Sequence, residues 1–256
     1  MPGFYATIAR FYDAENADKT DDLAFYSELA AEYGDPILDV GCGTGRVMLH
    51  LAQEGYRVHG IDNEDAMLER AKRKLDALPH ARDKLTFYLG DVLTYDLDGQ
   101  FKLVLVPYNG LMHFHSQETQ LALLRRLRQW TADDGLLALD LPNAGETFAT
   151  QDSEALTLER TFIEPESGHL VMQQAVSVLD RVEQLMRVTW IYDEITGDGA
   201  IKRTVAPILF RYYFYPELLL LLQHSGFEVQ AVYGDVDGSP FADGCPRMIV
   251  LAKPKE

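Results

Sequence analysis

The chain has 256 residues, a net charge of −17 and a sequence pI near 4.7, with 47% hydrophobic and 25% charged residues. This acidity argues against DNA, long RNA and anionic membranes as partners, because binding phosphates needs clustered cations and the lysines and arginines here are scattered. The composition also excludes disordered, collagen-like and solenoid classes, and the length suffices for one α/β domain with a large core. Two distant cysteines, Cys42 and Cys245, lack metal-ligand spacing. They exclude a disulfide framework, point to no metal site and suit a reducing compartment. Early charged residues (Arg10, Asp13, Glu15, Asp18) and apolar runs no longer than Leu218–Leu222 lead us to expect a cytoplasmic protein with no signal core or membrane span.

In chain order, the spacing of Leu23, Tyr26, Leu29 and Ala30 predicts a helix over Asp22–Tyr33, stopped by Pro36. A buried strand Ile37–Val40 follows, then a Gly-rich turn Gly41–Gly45 and a helix Arg46–Gln53 ending at Gly55. Strands are predicted at Tyr56–Ile61, Leu85–Leu89, Phe101–Pro107 and Gly135–Leu141, with helices Ala66–Leu75 and Gln117–Trp130 between them. From Ala155 to Tyr215 the pattern turns to period two, predicting strands Leu156–Glu164, Val171–Asp180, Gln184–Thr196 and Ala200–Tyr215. A helix Tyr215–Ser225 and strands Phe227–Tyr233 and Arg247–Ala252 close the chain. Alternating strands and helices imply a mostly parallel sheet covered on both faces, and the period-two block reads as an antiparallel meander inserted into it.

A strand that feeds a Gly-rich turn into a helix N-terminus handles nucleotides, because glycines permit the tight turn and the close approach of a ligand. A dinucleotide fingerprint reads G-x-G-x-x-G, whereas Gly41, Gly43 and Gly45 give G-x-G-x-G and Arg46 stands where the last glycine belongs. Three carboxylates, Asp39, Asp62 and Asp91, fall on or just beyond strand ends, where open α/β sheets bind ligands.

The run Asp39-Val40-Gly41-Cys42-Gly43-Thr44-Gly45 resembles motif I of the class I S-adenosylmethionine-dependent methyltransferases. Gly90-Asp91 is similar to that family's pair after strand three. The resemblance covers Tyr33 to about Asn143. It implies a Rossmann-like seven-stranded mixed sheet and S-adenosylmethionine as cofactor. It implies that Asp39, Gly41, Cys42, Gly43 and Gly45 hold the cofactor's methionine part and that Asp62, with Asn63 beside it, takes the ribose hydroxyls. It further implies that Asp91 and the Val92 amide meet the adenine, with Met67 and Leu68 flanking the ring, and that Tyr108 lies against the cofactor.

The acceptor side carries less pattern. Pro107 to His115 lacks the acidic/Asn-Pro-Pro-aromatic signature of amine and DNA-base enzymes. It resembles instead the N-x-L-x-H turn of small-molecule methyltransferases, which brings Asn109 to the acceptor. His113 is a candidate general base, since imidazole titrates near working pH; the competing reading is a packing or cofactor-positioning role. His115 reads as a cap or surface residue. Tyr5–Tyr12 resembles the family's lid, making Tyr5 and Tyr12 candidates to cover the acceptor, with helix packing as the competing reading. Alternation aims Arg211, Tyr213 and Tyr215 to one face, either an acceptor wall or a packing or dimer face.

These readings imply one methyltransferase domain over 1–256. Its N-terminal lid and helix would span 1–33. The insertion over 155–215 would line the acceptor pocket or form a dimer contact. The expected reaction is methyl transfer to oxygen or nitrogen of a small molecule, such as a sugar or amine, by a monomer or homodimer. The rivals are a nicotinamide-dependent oxidoreductase, disfavoured by Arg46, a non-catalytic S-adenosylmethionine-binding protein, and a protein methyltransferase, since acceptor specificity lies in the lid and insertion.

Overall fold

The computed structural model describes residues 3–145 and 154–255. Seven strands form the main sheet: β1 (Ile37–Val40), β2 (Val58–Asp62), β3 (Leu85–Leu89), β4 (Phe101–Val106), β5 (Thr131–Pro142), β10 (Phe227–Tyr233) and β11 (Arg247–Pro254). Their order is β10-β11-β5-β4-β1-β2-β3, parallel except that β11 runs antiparallel to both β5 and β10. This is the expected seven-stranded mixed sheet.

Alternation within the buried strands divides the core. Leu38, Val40, Val104 and Val106 point to one face, where α5 (Gln117–Trp130) and α6 (Tyr215–His224) bring Leu123, Leu124, Leu127, Leu218 and Leu222. Ile37, Leu103 and Leu105 point to the other, against α2 (Leu23–Tyr33) and α3 (Arg46–Gln53). Burial on both faces explains why these strands are continuous apolar runs. The crossover helices leave β1 and β4 as adjacent strands at the switch in strand order, which opens a crevice beyond their carboxyl ends.

Strand β5 starts at Thr131, four residues earlier than its apolar run, because Thr131 pairs with Phe101 before the register shifts to Leu136 opposite Leu103. Gly135 sits at that shift, where a Cβ would lie 2.9 Å from the carbonyl oxygens of Phe101 and Lys102. Only glycine tolerates this approach.

The period-two block forms a separate four-stranded antiparallel sheet: β6 (Thr157–Ile163), β7 (Leu170–Asp180), β8 (Leu185–Ile195) and β9 (Ile201–Arg211). It carries the N-terminal helix α1 (Phe4–Glu15). Ile8 and Phe11 of α1 pack with Val171, Tyr192 and Ala206, and Phe11 stacks on Tyr192 at 4.7 Å. Beside that stack the buried Glu15 accepts hydrogen bonds from Tyr192 Oη (2.8 Å) and Gln173 Nε2 (2.9 Å). The segment read as a short lid is therefore a full helix, docked on the inserted sheet.

Candidate active site

The carboxyl ends of β1, β2 and β4 open into a cavity of about 900 Å³, which α1 walls on one side through Tyr5, Tyr12 and Asp13. Three glycines with positive φ, Gly41 (73°), Gly43 (53°) and Gly45 (82°), fold the β1–α3 turn. The turn is tied to β2: the Gly41 and Cys42 amides donate to the Ile61 carbonyl, and Gly43 N donates to Asp62 Oδ2 at 2.8 Å. Asp62 Oδ1 accepts from Glu64 N at 2.9 Å, and burial raises its carboxyl pKa despite these bonds. Asp91 Oδ1 accepts from Leu93 N at 2.8 Å.

Asp39 is different. It lines the cavity at 1% exposure, and among the described residues neither carboxylate oxygen has a hydrogen-bond partner of ordinary geometry. Desolvation pushes its pKa up to about 7, against the opposing pull of Arg46. Burying such a group unpaired is costly unless a ligand completes it.

The N-terminal helix is latched to the glycine turn. Thr44 Oγ1 donates to Asp13 Oδ1 (2.6 Å), and Lys74 Nζ bridges the same oxygen (2.6 Å) and the Thr44 carbonyl (3.0 Å). Arg46 forms a two-pronged pair with Asp22, including Nη2 to Oδ2 at 2.7 Å.

At the end of β4, Tyr108 (φ 45°) and Asn109 (φ 69°) occupy the left-handed region in succession, a strained arrangement for non-glycine residues. Asp140 and Arg247 hold it. Asp140 Oδ2 accepts from Tyr108 N (3.2 Å) and its carbonyl from Asn109 N (2.9 Å). Arg247 donates from Nε to Asp140 Oδ1 (2.8 Å) and from Nη2 to Asn109 Oδ1 (3.2 Å).

A 3-10 turn, Gly110–His113, follows. His113 Nε2 lies 3.0 Å from the Tyr5 hydroxyl, and its ring packs against Tyr5 and Phe210. Desolvation, aided by His115, lowers its pKa to about 4. His115 Nε2 pairs with the Leu209 carbonyl at 2.8 Å, tethering the turn to β9.

The cavity brings together Asp39, Gly41, Cys42, Gly43, Asp62, Asn63, Met67, Asp91, Val92, Tyr108, Tyr5, Tyr12 and His113. Gly45 instead caps α3, and Leu68 is buried in the core. Residues 155–215 contribute none of the residues that line this cavity. Arg211 pairs with Glu217 at 2.5 Å and donates to the Glu183 carbonyl. Tyr213 turns inward and donates to the carbonyls of Leu111 (3.1 Å) and Phe114 (3.0 Å), bracing the His113 turn from behind. Strand β9 ends at Arg211, so the alternation that would align Arg211, Tyr213 and Tyr215 stops there. Asn109 also lies off the cavity wall, its side chain held by Arg247.

Sequence reasoning missed Asp13, Asn16, Lys19, Lys74, Asp140 and Arg247. Asn16 had one signal, its i+4 spacing from Tyr12 at the end of α1. Asp140 and Arg247 lie on β5 and β11, whose pairing no local pattern reveals.

An unpartnered carboxylate, a glycine turn open to the cavity and a second carboxylate on β2 suit a ligand that combines a cation with a ribose. S-adenosylmethionine has both. Residues 37–135 match the family model described as a methyltransferase domain. The cypemycin N-terminal methyltransferase of Streptomyces sp is 26% identical over 85% of this chain and 82% of its own length. The chain spans only about half the length of several other curated relatives. Among solved structures, the CcbJ methyltransferase of Streptomyces caelestis shares 24% identity with a TM-score of 0.77, covering 92% of this chain and 89% of that one. The sugar N-methyltransferase KedS8 of Streptoalloteichus sp shares 19% identity with a TM-score of 0.73, covering 96% and 92%. Over residues 37–135 this chain is similar to the methyltransferase-domain family, and its fold is that of S-adenosylmethionine-dependent methyltransferases. Its cofactor is S-adenosylmethionine.

Proposed function

We propose that this enzyme methylates the nitrogen of a small-molecule amine. The observation that carries this reading is the desolvated Tyr5–His113 pair at the β4 end of the cavity. An imidazole whose pKa has dropped to about 4 is too weak a base to activate a hydroxyl. The neighbouring phenols of Tyr5, Tyr12 and Tyr108 are all shifted upward by burial, so none supplies a base near neutral pH. A neutral amine already carries its nucleophilic lone pair and needs none. Two of the relatives described above carry amine-directed names, the N-terminal methyltransferase and the sugar N-methyltransferase.

When bound, S-adenosylmethionine supplies a methyl group activated on a sulfonium sulfur. The chain's part is to bind, orient and exclude water. Asp62, with Asn63 beside it, faces the ribose hydroxyls, where two O–H donors meet one carboxylate. Asp91 and the Val92 amide take the adenine edge, Met67 lies against the ring, and Asp39 receives the cofactor's amino group. Cys42 serves as a small residue between glycines; burial raises its thiol pKa and keeps it unreactive. Tyr5 and Tyr12 on α1 close over the acceptor, so the helix that the inserted sheet holds in place desolvates the reacting atoms. The amine enters as its free base, the fraction set by its own pKa, and His113 aligns it without removing a proton from it. Alignment and desolvation provide most of the acceleration for an in-line displacement of this kind.

The test is release of S-adenosylhomocysteine over matched pairs of small amines and isosteric alcohols. Amines should be turned over, with kcat/KM rising up to the amine's own pKa. Faster turnover of the alcohols would overturn the nitrogen reading.

A further inference from the structure

The cations around the cavity can be sorted by what already neutralises them. Arg46, Lys74 and Lys19 line it, and Arg247 stands behind Tyr108. Arg46 is saturated by both oxygens of Asp22. Lys74 is held by Asp13 and Thr44. Arg247 is held by Asp140 and Asn109. Lys19 is the exception. Its ammonium lies over the Tyr108 ring at 4.5 Å and, among the described residues, has no ion-pair or hydrogen-bond partner. Asp21, Asp22 and Asp140 raise its pKa only from a distance, while burial and the nearby Arg247 lower it. A half-buried ammonium of this kind lacks a counter-ion.

Asp39 lines the same cavity with the complementary defect, a buried carboxylate whose oxygens have no hydrogen-bond or ion-pair partner of ordinary geometry among the described residues. One unpaired charge of each sign in a single cavity fits a zwitterion. The amino-acid end of the cofactor is one.

We propose that Lys19 receives the carboxylate of the cofactor's methionine end, while Asp39 takes the amino group beside it. Lys19 then makes the site read that end of the cofactor. It discriminates against S-adenosyl compounds that keep the sulfonium and the amine but lack the carboxylate. The cation–π contact with Tyr108 parks the ammonium in place before binding, which limits the side-chain entropy lost when the carboxylate arrives. The proposal rests on S-adenosylmethionine being the cofactor.

The test is calorimetric binding of S-adenosylmethionine and of decarboxylated S-adenosylmethionine to the wild-type chain, Lys19→Met and Lys19→Arg. Wild type should prefer the carboxylated ligand by about tenfold or more, the scale of one charge-assisted hydrogen bond. In Lys19→Met that preference should collapse, through weaker S-adenosylmethionine binding alone, and Lys19→Arg should restore most of it. An unchanged preference in Lys19→Met, or an equal loss for both ligands, overturns the proposal, the second outcome reducing Lys19 to a prop for Tyr108. If neither ligand binds wild type, the cofactor reading itself fails, which is a distinguishable result. Met keeps the aliphatic stem, and an unchanged melting temperature confirms that the variant folds.

Discussion

The two ends of the cavity are both desolvated, yet they titrate in opposite senses. At the β1 end, burial drives Asp39 up to about 7 and, among the described residues, neither carboxylate oxygen has a hydrogen-bond partner of ordinary geometry. At the β4 end, burial drives His113 down to about 4 and leaves it neutral beside Tyr5. The first end is built around a missing charge and the second around none. On the reading proposed above, a cationic cofactor would repay the desolvation of Asp39 on binding, and the other end would suit an uncharged nucleophile. The same low dielectric serves recognition at one end and reactivity at the other.

The largest effect is expected between the two ends, at the turn that joins them. Asp140 is 4% exposed, and Arg247 is its main cationic partner. Arg247→Ala should cost about 2–3 kcal/mol of stability, somewhat less than breaking a fully buried pair because Arg247 keeps some solvent contact. The strained Tyr108–Asn109 backbone should relax with it, so turnover should fall even under conditions where the variant is folded. Thermal unfolding and S-adenosylhomocysteine release check this together. Full activity in a destabilised Arg247→Ala would show that the turn geometry does not matter to the reaction.

Next come the carboxylates of the cofactor end. Asp62→Ala should weaken S-adenosylmethionine binding at least tenfold, about 1.4 kcal/mol, in calorimetry. Asp39→Asn should weaken it too, but with an added signature. The Asp39 pKa is raised in the folded state from the usual 3.8, so the unfolded chain gives up this proton more readily. The ligand-free protein therefore loses stability as pH rises from about 4 to about 7, and the full loss persists above that. Asp39→Asn should raise the ligand-free melting temperature by about 5 °C at pH 8, with no gain near pH 4. Lower affinity combined with higher stability would mark Asp39 as a group kept for its ligand. A melting temperature that falls at pH 8 would instead make it a structural residue.

The cofactor end was legible in the sequence because its features are local. Three glycines in five residues dictate the turn, and Asp62 and Asp91 follow their strands by position alone. The sheet was legible for the same reason: buried strands read as apolar runs, and the period-two block as an antiparallel meander. The acceptor end depends on elements far apart in the chain. The Tyr5–His113 pair joins α1 to the β4 turn across 108 positions, and α1 is placed by β7, β8 and β9. Of the two readings of Arg211 and Tyr213, the contacts of both side chains match the packing one, because β9 ends at Arg211 and the chain turns inward there. Lys19 carried no motif, and its significance lies in what its neighbours already hold.

The smallest effects should arise at the acceptor end, where they test the comparison most sharply. Tyr5→Phe keeps the ring against His113 and removes one hydroxyl, so kcat/KM should fall only a few-fold, about 1 kcal/mol for a neutral hydrogen bond. His113→Gln should likewise leave the pH profile of kcat/KM unchanged between about pH 6 and 9, because the imidazole is already neutral throughout that window. Its mark should appear in stability. The folded-state pKa lies below the usual 6.5, so the unfolded chain takes up this proton first as pH falls. Wild type should lose stability relative to His113→Gln between about pH 6.5 and 4. A variant that instead lost most of its turnover, with the residual rate lacking an acidic limb that wild type shows near neutrality, would make His113 a general base. The contrast between a charged cofactor end and a neutral acceptor end would then no longer hold.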